Sequence, residues 1–126
     1  PRTARVGPRF YATHFDAVEV DSTYYAIPDQ KTAWLWDMRT PADFTFHVKA
    51  YGALTGHGVD SRTLPKDVQS LVSHRPGEGK YTYVKEPSLL QMLAQRLIDA
   101  LSPLTKSGKL GLVVFQFPPG QPGAVA

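Results

Sequence analysis

An alternating stretch, Ala17 to Asp21, runs straight into the polar, hydroxyl-rich turn Ser22-Thr23-Tyr24-Tyr25 and is closed by Pro28. Two later runs repeat the arrangement: Phe44 to Lys49 ends in a lysine, and Leu110 to Phe117 carries Gln116 near its end. Because side chains two apart on a strand share a face, Val18 and Val20 lie opposite Glu19 and Asp21. By the same rule Phe44, Phe46 and Val48 lie opposite Thr45, His47 and Lys49. The third run is almost wholly apolar, the pattern of a strand covered on both faces in a parallel sheet. Strands near 17–21, 44–49 and 110–117 with helical patterns between them predict an α/β fold with a parallel sheet. Polar side chains gathered at strand ends of one polarity point to a (β/α) barrel, with helices over the apolar faces and the polar sets facing the interior.

The helical segments are readable from caps and spacing. Asp29 is placed to cap a short helix carrying Trp34, Leu35 and Met38, which Thr40-Pro41 ends, and both Trp34 and Trp36 are expected to pack. Pro87 to Thr105 reads as one long helix with Leu90, Leu93, Ala94, Leu97, Leu101 and Leu104 on one stripe and Gly108 as its stop. Arg9 to Phe15 reads as the last turns of another. Between Ala50 and Glu86 the periodicity fails except over Leu64 to Val72, so the insertion is either a functional lid or loosely ordered. The whole chain, 1–126, is expected to be one partial barrel domain with a frayed tail at 120–126.

Composition narrows the class. With 42% hydrophobic and 20% charged residues the chain is an ordinary soluble domain. Fourteen basic against eleven acidic residues give +3, which admits a phosphate-bearing small molecule or nucleic acid as partner without the concentrated basic face that nucleic-acid binding usually shows. The absence of cysteine removes disulfides, thiolate zinc sites and cysteine nucleophiles, and fits a cytoplasmic setting. No apolar run approaches the roughly 20 residues of a membrane helix, and the first fifteen residues lack a signal-peptide core, so no membrane association is expected. The chain opens on Pro1 rather than methionine, and its natural start is expected upstream.

Three segments, Phe15 to Pro28, Phe44 to His57 (FTFHVKAYGALTGH) and Gly108 to Pro119 (GKLGLVVFQFPP), together resemble the domain of unknown function 72 family, also called YecE-like. The resemblance covers most of residues 10 to 119. It implies a (β/α)8 TIM barrel of about 250 residues, of which this chain would hold the second to fourth strands, without the first. Such a partial barrel has an open sheet edge on both sides. The chain departs from the commoner family pattern at Asp21, where asparagine is frequent. It departs again at Gly56, where some members place histidine directly after the threonine; His57 is the nearest residue to fill that role.

Barrel active sites lie at the carboxyl ends of the strands, which selects Glu19, Asp21 and Lys49 as candidate catalytic residues. Ser22, Thr23, Tyr24, Thr55, His57 and Gln116 are the candidate ligand-binding residues. Glu19 and Asp21 are suited to acid and base roles or to a hard metal, while Glu19 could equally pair with Lys49 across the barrel core. Lys49 suits charge pairing or anion binding; a Schiff base would need a depressed pKa that neighbouring carboxylates oppose. His47, deeper on the same face, reads as a hydrogen-bonded core histidine. The hydroxyls of Ser22 and Thr23 suit either a ligand or the turn itself, and the Tyr24-Tyr25 pair places one ring outward for a sugar or base to stack on. No spacing is diagnostic of a metal, and no cofactor is specified. The leading expectation is an anionic small molecule or nucleic-acid segment bound at the carboxyl-end face, with hydrolysis or isomerisation as the chemistry on offer. The competing expectation is a non-catalytic scaffold that presents the 50–86 insertion, with Tyr81, Tyr83 and Val84, to a protein partner.

Overall fold

The computed structural model describes residues 3–4, 16–72 and 81–119. In chain order its elements are β1 (Thr3–Ala4), β2 (Ala17–Val20), α1 (Ser22–Tyr25), α2 (Gln30–Met38), β3 (Thr45–Lys49), β4 (Val59–Asp60), α3 (Lys66–Gln69), β5 (Tyr81–Thr82), α4 (Pro87–Ala100), α5 (Ser102–Ser107) and β6 (Leu110–Val114). Short 3-10 turns occupy Gly52–Thr55 and Ser61–Thr63. The main sheet has the order β1-β2-β3-β6 and every neighbouring pair is parallel. This is a partial barrel sheet of the (β/α)8 type. Thr3–Ala4 pairs with β2, so a strand segment stands where the sequence resemblance implied none. The expected helix at Arg9 to Phe15 and the expected frayed tail at 120–126 lie outside the described residues.

The alternation read from β2 and β3 decides which face is dry. Val18, Val20, Phe46 and Val48 are buried against Ala33 of α2, Leu97 of α4 and Leu104 of α5. Asp29 caps α2 as its position suggests, its Oδ1 accepting from Thr32 N at 2.8 Å and from the Thr32 hydroxyl at 2.7 Å. Trp36 stacks on Phe46 at 6.0 Å. Trp34, two residues away and therefore turned to a different side of the helix, is 49% exposed and does not share that packing.

The single helix expected from Pro87 to Thr105 is two. Pro103 has no N–H for the Asp99 carbonyl, and the chain turns at Leu101 before α5 begins. The side-chain amide of Gln30 donates to the Asp99 carbonyl at 2.9 Å, which ties α2 to the break. Gly108 ends α5 in the left-handed region at φ +77°, where glycine carries no Cβ penalty. The next residue, Lys109, is 5% exposed. Its ammonium donates to the Asp37 and Thr40 carbonyls at 2.7 and 2.9 Å and pairs with Asp37 Oδ1 at 3.0 Å. One cation thus satisfies the carboxyl end of α2 and pins the start of β6.

β6 is not covered on both faces as its composition suggested. It is the edge strand of the sheet, and Leu112 is 66% and Phe115 53% exposed. The described part of the insertion, by contrast, is largely packed, while its glycine- and charge-rich stretch 73–80 lies outside the described residues. Tyr51, Val59, Leu64, Val68, Leu89 and Leu93 form a second apolar cluster, and β4 pairs antiparallel with β5, Val59 against Thr82 and Asp60 against Tyr81. Among the described residues no helix is long and apolar enough to cross a membrane.

Candidate functional site

The carboxyl ends of β2 and β3 lie side by side, with Val20 level with Val48. Thr23 locks them together: it is fully buried, and its hydroxyl donates to the Lys49 carbonyl at 2.6 Å, with the Val20 carbonyl 3.2 Å away. The Thr23 hydroxyl therefore serves the strand junction rather than a ligand. With the backbone fixed there, Lys49 sends its ammonium over the Tyr24 ring, 5.1 Å from the centroid, a cation–π contact. The pairing of Lys49 with Glu19 does not form. Glu19 lies opposite His47 in the β2–β3 register and has its own partner, and among the described residues Lys49 makes no ion pair.

Tyr24 is the hub of the cluster. Its ring meets Tyr25 edge-on at 5.1 Å and the His57 ring at 5.1 Å. It packs on the bare backbone of Gly52, where a Cβ would lie 3.3 Å from the ring. Burial, and secondly the neighbouring Tyr25, push the Tyr24 phenol above its ordinary pKa, so it remains a hydrogen-bond donor through the physiological range.

Thr55 sets the state of His57. The Thr55 side chain is buried, and its hydroxyl donates to the Gly52 carbonyl at 3.1 Å. With its one proton committed, the hydroxyl oxygen accepts from His57 Nδ1 at 2.8 Å. Nδ1 then carries the proton of the neutral ring, and Nε2 is left as the basic nitrogen. Thr55 acts through His57 rather than on a ligand directly. Gly56, at φ +80°, makes the reversal that returns His57 to the 3-10 turn.

Asp21 stands at the foot of α1 without capping it. Its Oδ1 is shielded from solvent and has no hydrogen-bond partner among the described residues. A buried carboxylate oxygen in that state is costly and marks a place for a donor. Ser22 is exposed beside it. Gln116 is exposed beyond the end of β6 and shares no hydrogen bond with the cluster among the described residues. Nor do three or more His, Asp or Glu side chains among them converge as a metal site requires.

A cavity of about 420 Å³ opens beside Tyr24, lined also by Tyr25, Gly58, Asp60, Thr63 and Tyr81. The last four come from the insertion, of which only Tyr81 was singled out in the sequence, as part of a protein-partner surface. Asp60 and Tyr81 are brought beside Tyr24 by the pairing of two strands of two residues each, too short to show any period.

Parallel strands with helices on one face and polar side chains collected at their carboxyl ends define the class as a (β/α) barrel, here in part. The chain belongs to the DUF72 family: the model described as "Protein of unknown function DUF72" matches residues 3–124. The UPF0759 protein YunF of Bacillus subtilis (strain 168) is 32% identical over 113 residues, which cover 86% of this chain and 30% of YunF. Two crystal structures of a DUF72 family protein from Enterococcus faecalis V583 each align with a TM-score of 0.62, at 20% and 22% identity, over 95% and 94% of this chain and 40% of theirs. At that identity the likeness is one of fold. This chain spans less than half the length of these relatives.

Proposed function

We propose that the carboxyl-end face of this partial barrel binds an anionic small molecule, held by the Lys49 ammonium and the Tyr24 hydroxyl. The observation that carries this reading is the state of Lys49. Its charge rests on an aromatic face with no carboxylate partner among the described residues, so it is available to a ligand. Asp21, with its shielded and unpartnered Oδ1, would accept a hydrogen bond from the same ligand. His57 offers Nε2 as an acceptor and Tyr24, held in the phenol form, offers a hydrogen-bond donor to the ligand. Orientation of a ligand by such groups is compatible with hydrolysis or isomerisation, in keeping with a cytoplasmic, metabolite-handling role. A nucleic-acid segment would offer the same phosphate, but a cavity of about 420 Å³ is in the range of small-molecule sites.

The competing scaffold reading draws on the exposure of Tyr81 and Tyr83, 51% and 58%. Tyr81, however, lines the cavity next to Tyr24, which favours the insertion as a wall of the site. The test is calorimetric titration with inorganic phosphate. Binding by the protein and its loss in Lys49→Met, with an unchanged circular dichroism spectrum, is the expected result. Equal binding by both proteins overturns the assignment of Lys49.

A further inference from the structure

The geometry points to a nucleoside monophosphate as the anion, with its base in the tyrosine-lined cavity and its phosphate at Lys49. This rests on the anion-binding reading above and names the rest of the ligand. Tyr24 is the shared wall. The Lys49 ammonium lies 5.1 Å from its centroid, and the Tyr25 ring lies 5.1 Å from the same point at 86°. Cation and second ring are therefore within about 10 Å of each other, which suits a ligand with a charged group at one end and a ring at the other.

The cavity beyond Tyr24, of about 420 Å³, is lined by Tyr24 but not by Lys49, and a volume of that order has room for a flat ring system next to an anion held at Lys49. Its walls are aromatic. Tyr25 and Tyr81, 69% and 51% exposed, both line the cavity, and aromatic side chains are the groups on which bases stack. The Asp60 carboxylate on the cavity wall is paired with Arg62. That guanidinium donates to Asp60 from Nε at 3.1 Å and from its terminal nitrogen at 2.7 Å. Gly58 keeps the wall thin: a Cβ there would lie 3.0 Å from the Tyr83 ring.

The test is calorimetric titration of the protein with adenosine monophosphate, ribose 5-phosphate and inorganic phosphate. Adenosine monophosphate is expected to bind about tenfold tighter than ribose 5-phosphate, the gain typical of stacking one base. Tyr25→Ala and Tyr81→Ala should each remove a large part of that gain while leaving ribose 5-phosphate unaffected, and Lys49→Met should weaken both ligands. Equal affinity for adenosine monophosphate and ribose 5-phosphate, or indifference of adenosine monophosphate to both tyrosine variants, overturns the nucleotide and leaves the anion site standing. Failure of all three ligands to bind overturns both readings. Tyr25→Leu, which keeps the bulk but not the aromatic face, serves if either alanine variant fails to fold; unchanged nucleotide binding by it overturns stacking on Tyr25.

Discussion

His47 Nδ1 accepts the Leu112 backbone N–H at 3.0 Å, a side chain taking a donor where the β3–β6 register shifts between Phe46 and Val48. As an acceptor at Nδ1 the neutral ring carries its proton on Nε2. Gly111 makes the contact feasible, since a Cβ there would lie 2.6 Å from His47 Cε1 and Nδ1 and 2.7 Å from Thr45 Cγ2. Gly111→Ala is expected to cost about 1–3 kcal/mol through overpacking, read as a lower urea midpoint. In a His47→Ala background much of that cost should vanish. An equal cost in both backgrounds would place the strain elsewhere.

Asp21→Asn is expected to stabilise the protein without weakening phosphate binding. The substitution removes the charge from a group whose shielded Oδ1 has no partner among the described residues, worth roughly 1 kcal/mol. The amide keeps an oxygen that accepts the ligand's hydrogen bond and takes a negative charge away from the anion. Thermal unfolding with and without phosphate reads both effects, and a destabilised Asn variant would contradict the account.

Thr55→Val keeps the shape of a buried side chain but removes the oxygen that accepts from His57 Nδ1. The expected outcome is a shift of the neutral His57 ring from the Nδ1–H form toward the Nε2–H form, seen in imidazole nitrogen chemical shifts. A loss of roughly 1–2 kcal/mol in stability should accompany it. Unchanged nitrogen shifts would show that Thr55 does not set the tautomer.

Lys109→Met should destabilise by roughly 2–3 kcal/mol, since it strands the carbonyls of Asp37 and Thr40 and a carboxylate that share one buried ammonium. The Lys109 hydrogen bond holds the Asp37 carboxyl below its ordinary pKa, against an opposing push from burial. A depressed carboxyl contributes stability that is full above its unfolded value and is lost as pH falls through the folded one. The loss is therefore expected below about pH 4. Unfolding midpoints measured from pH 6 to pH 3 should fall less steeply in Asp37→Asn. Parallel profiles would remove Asp37 from the acid sensitivity.

Much of the frame was legible because it follows from local periods. The two-residue alternation at Val18/Val20 and Phe46/Val48, the Asp29 cap and the Gly108 stop each depend on a few neighbouring residues, and each appears in place. The errors share a different origin. Leucine spacing continues through Leu101 and hides the break, because the stripe records which side chains are apolar and not whether residue 103 has an N–H. The apolar composition of Leu110 to Phe117 suits an interior strand, yet among the described residues no strand pairs with its outer edge.

Of the site, the sequence alone placed Asp21 and Lys49 at the ends of alternating strands and Tyr24 in the turn after the first, since a two-residue period depends only on neighbouring residues. Only the tertiary structure decided what those groups do for one another. The Thr23 hydroxyl is consumed by the Lys49 carbonyl, Lys49 turns to Tyr24 and not to Glu19, and Tyr81 closes the cavity from 57 residues away in sequence. Contacts of that kind depend on where distant backbone segments come to rest, and the energies that place them come from packing across the whole core, not from any local pattern.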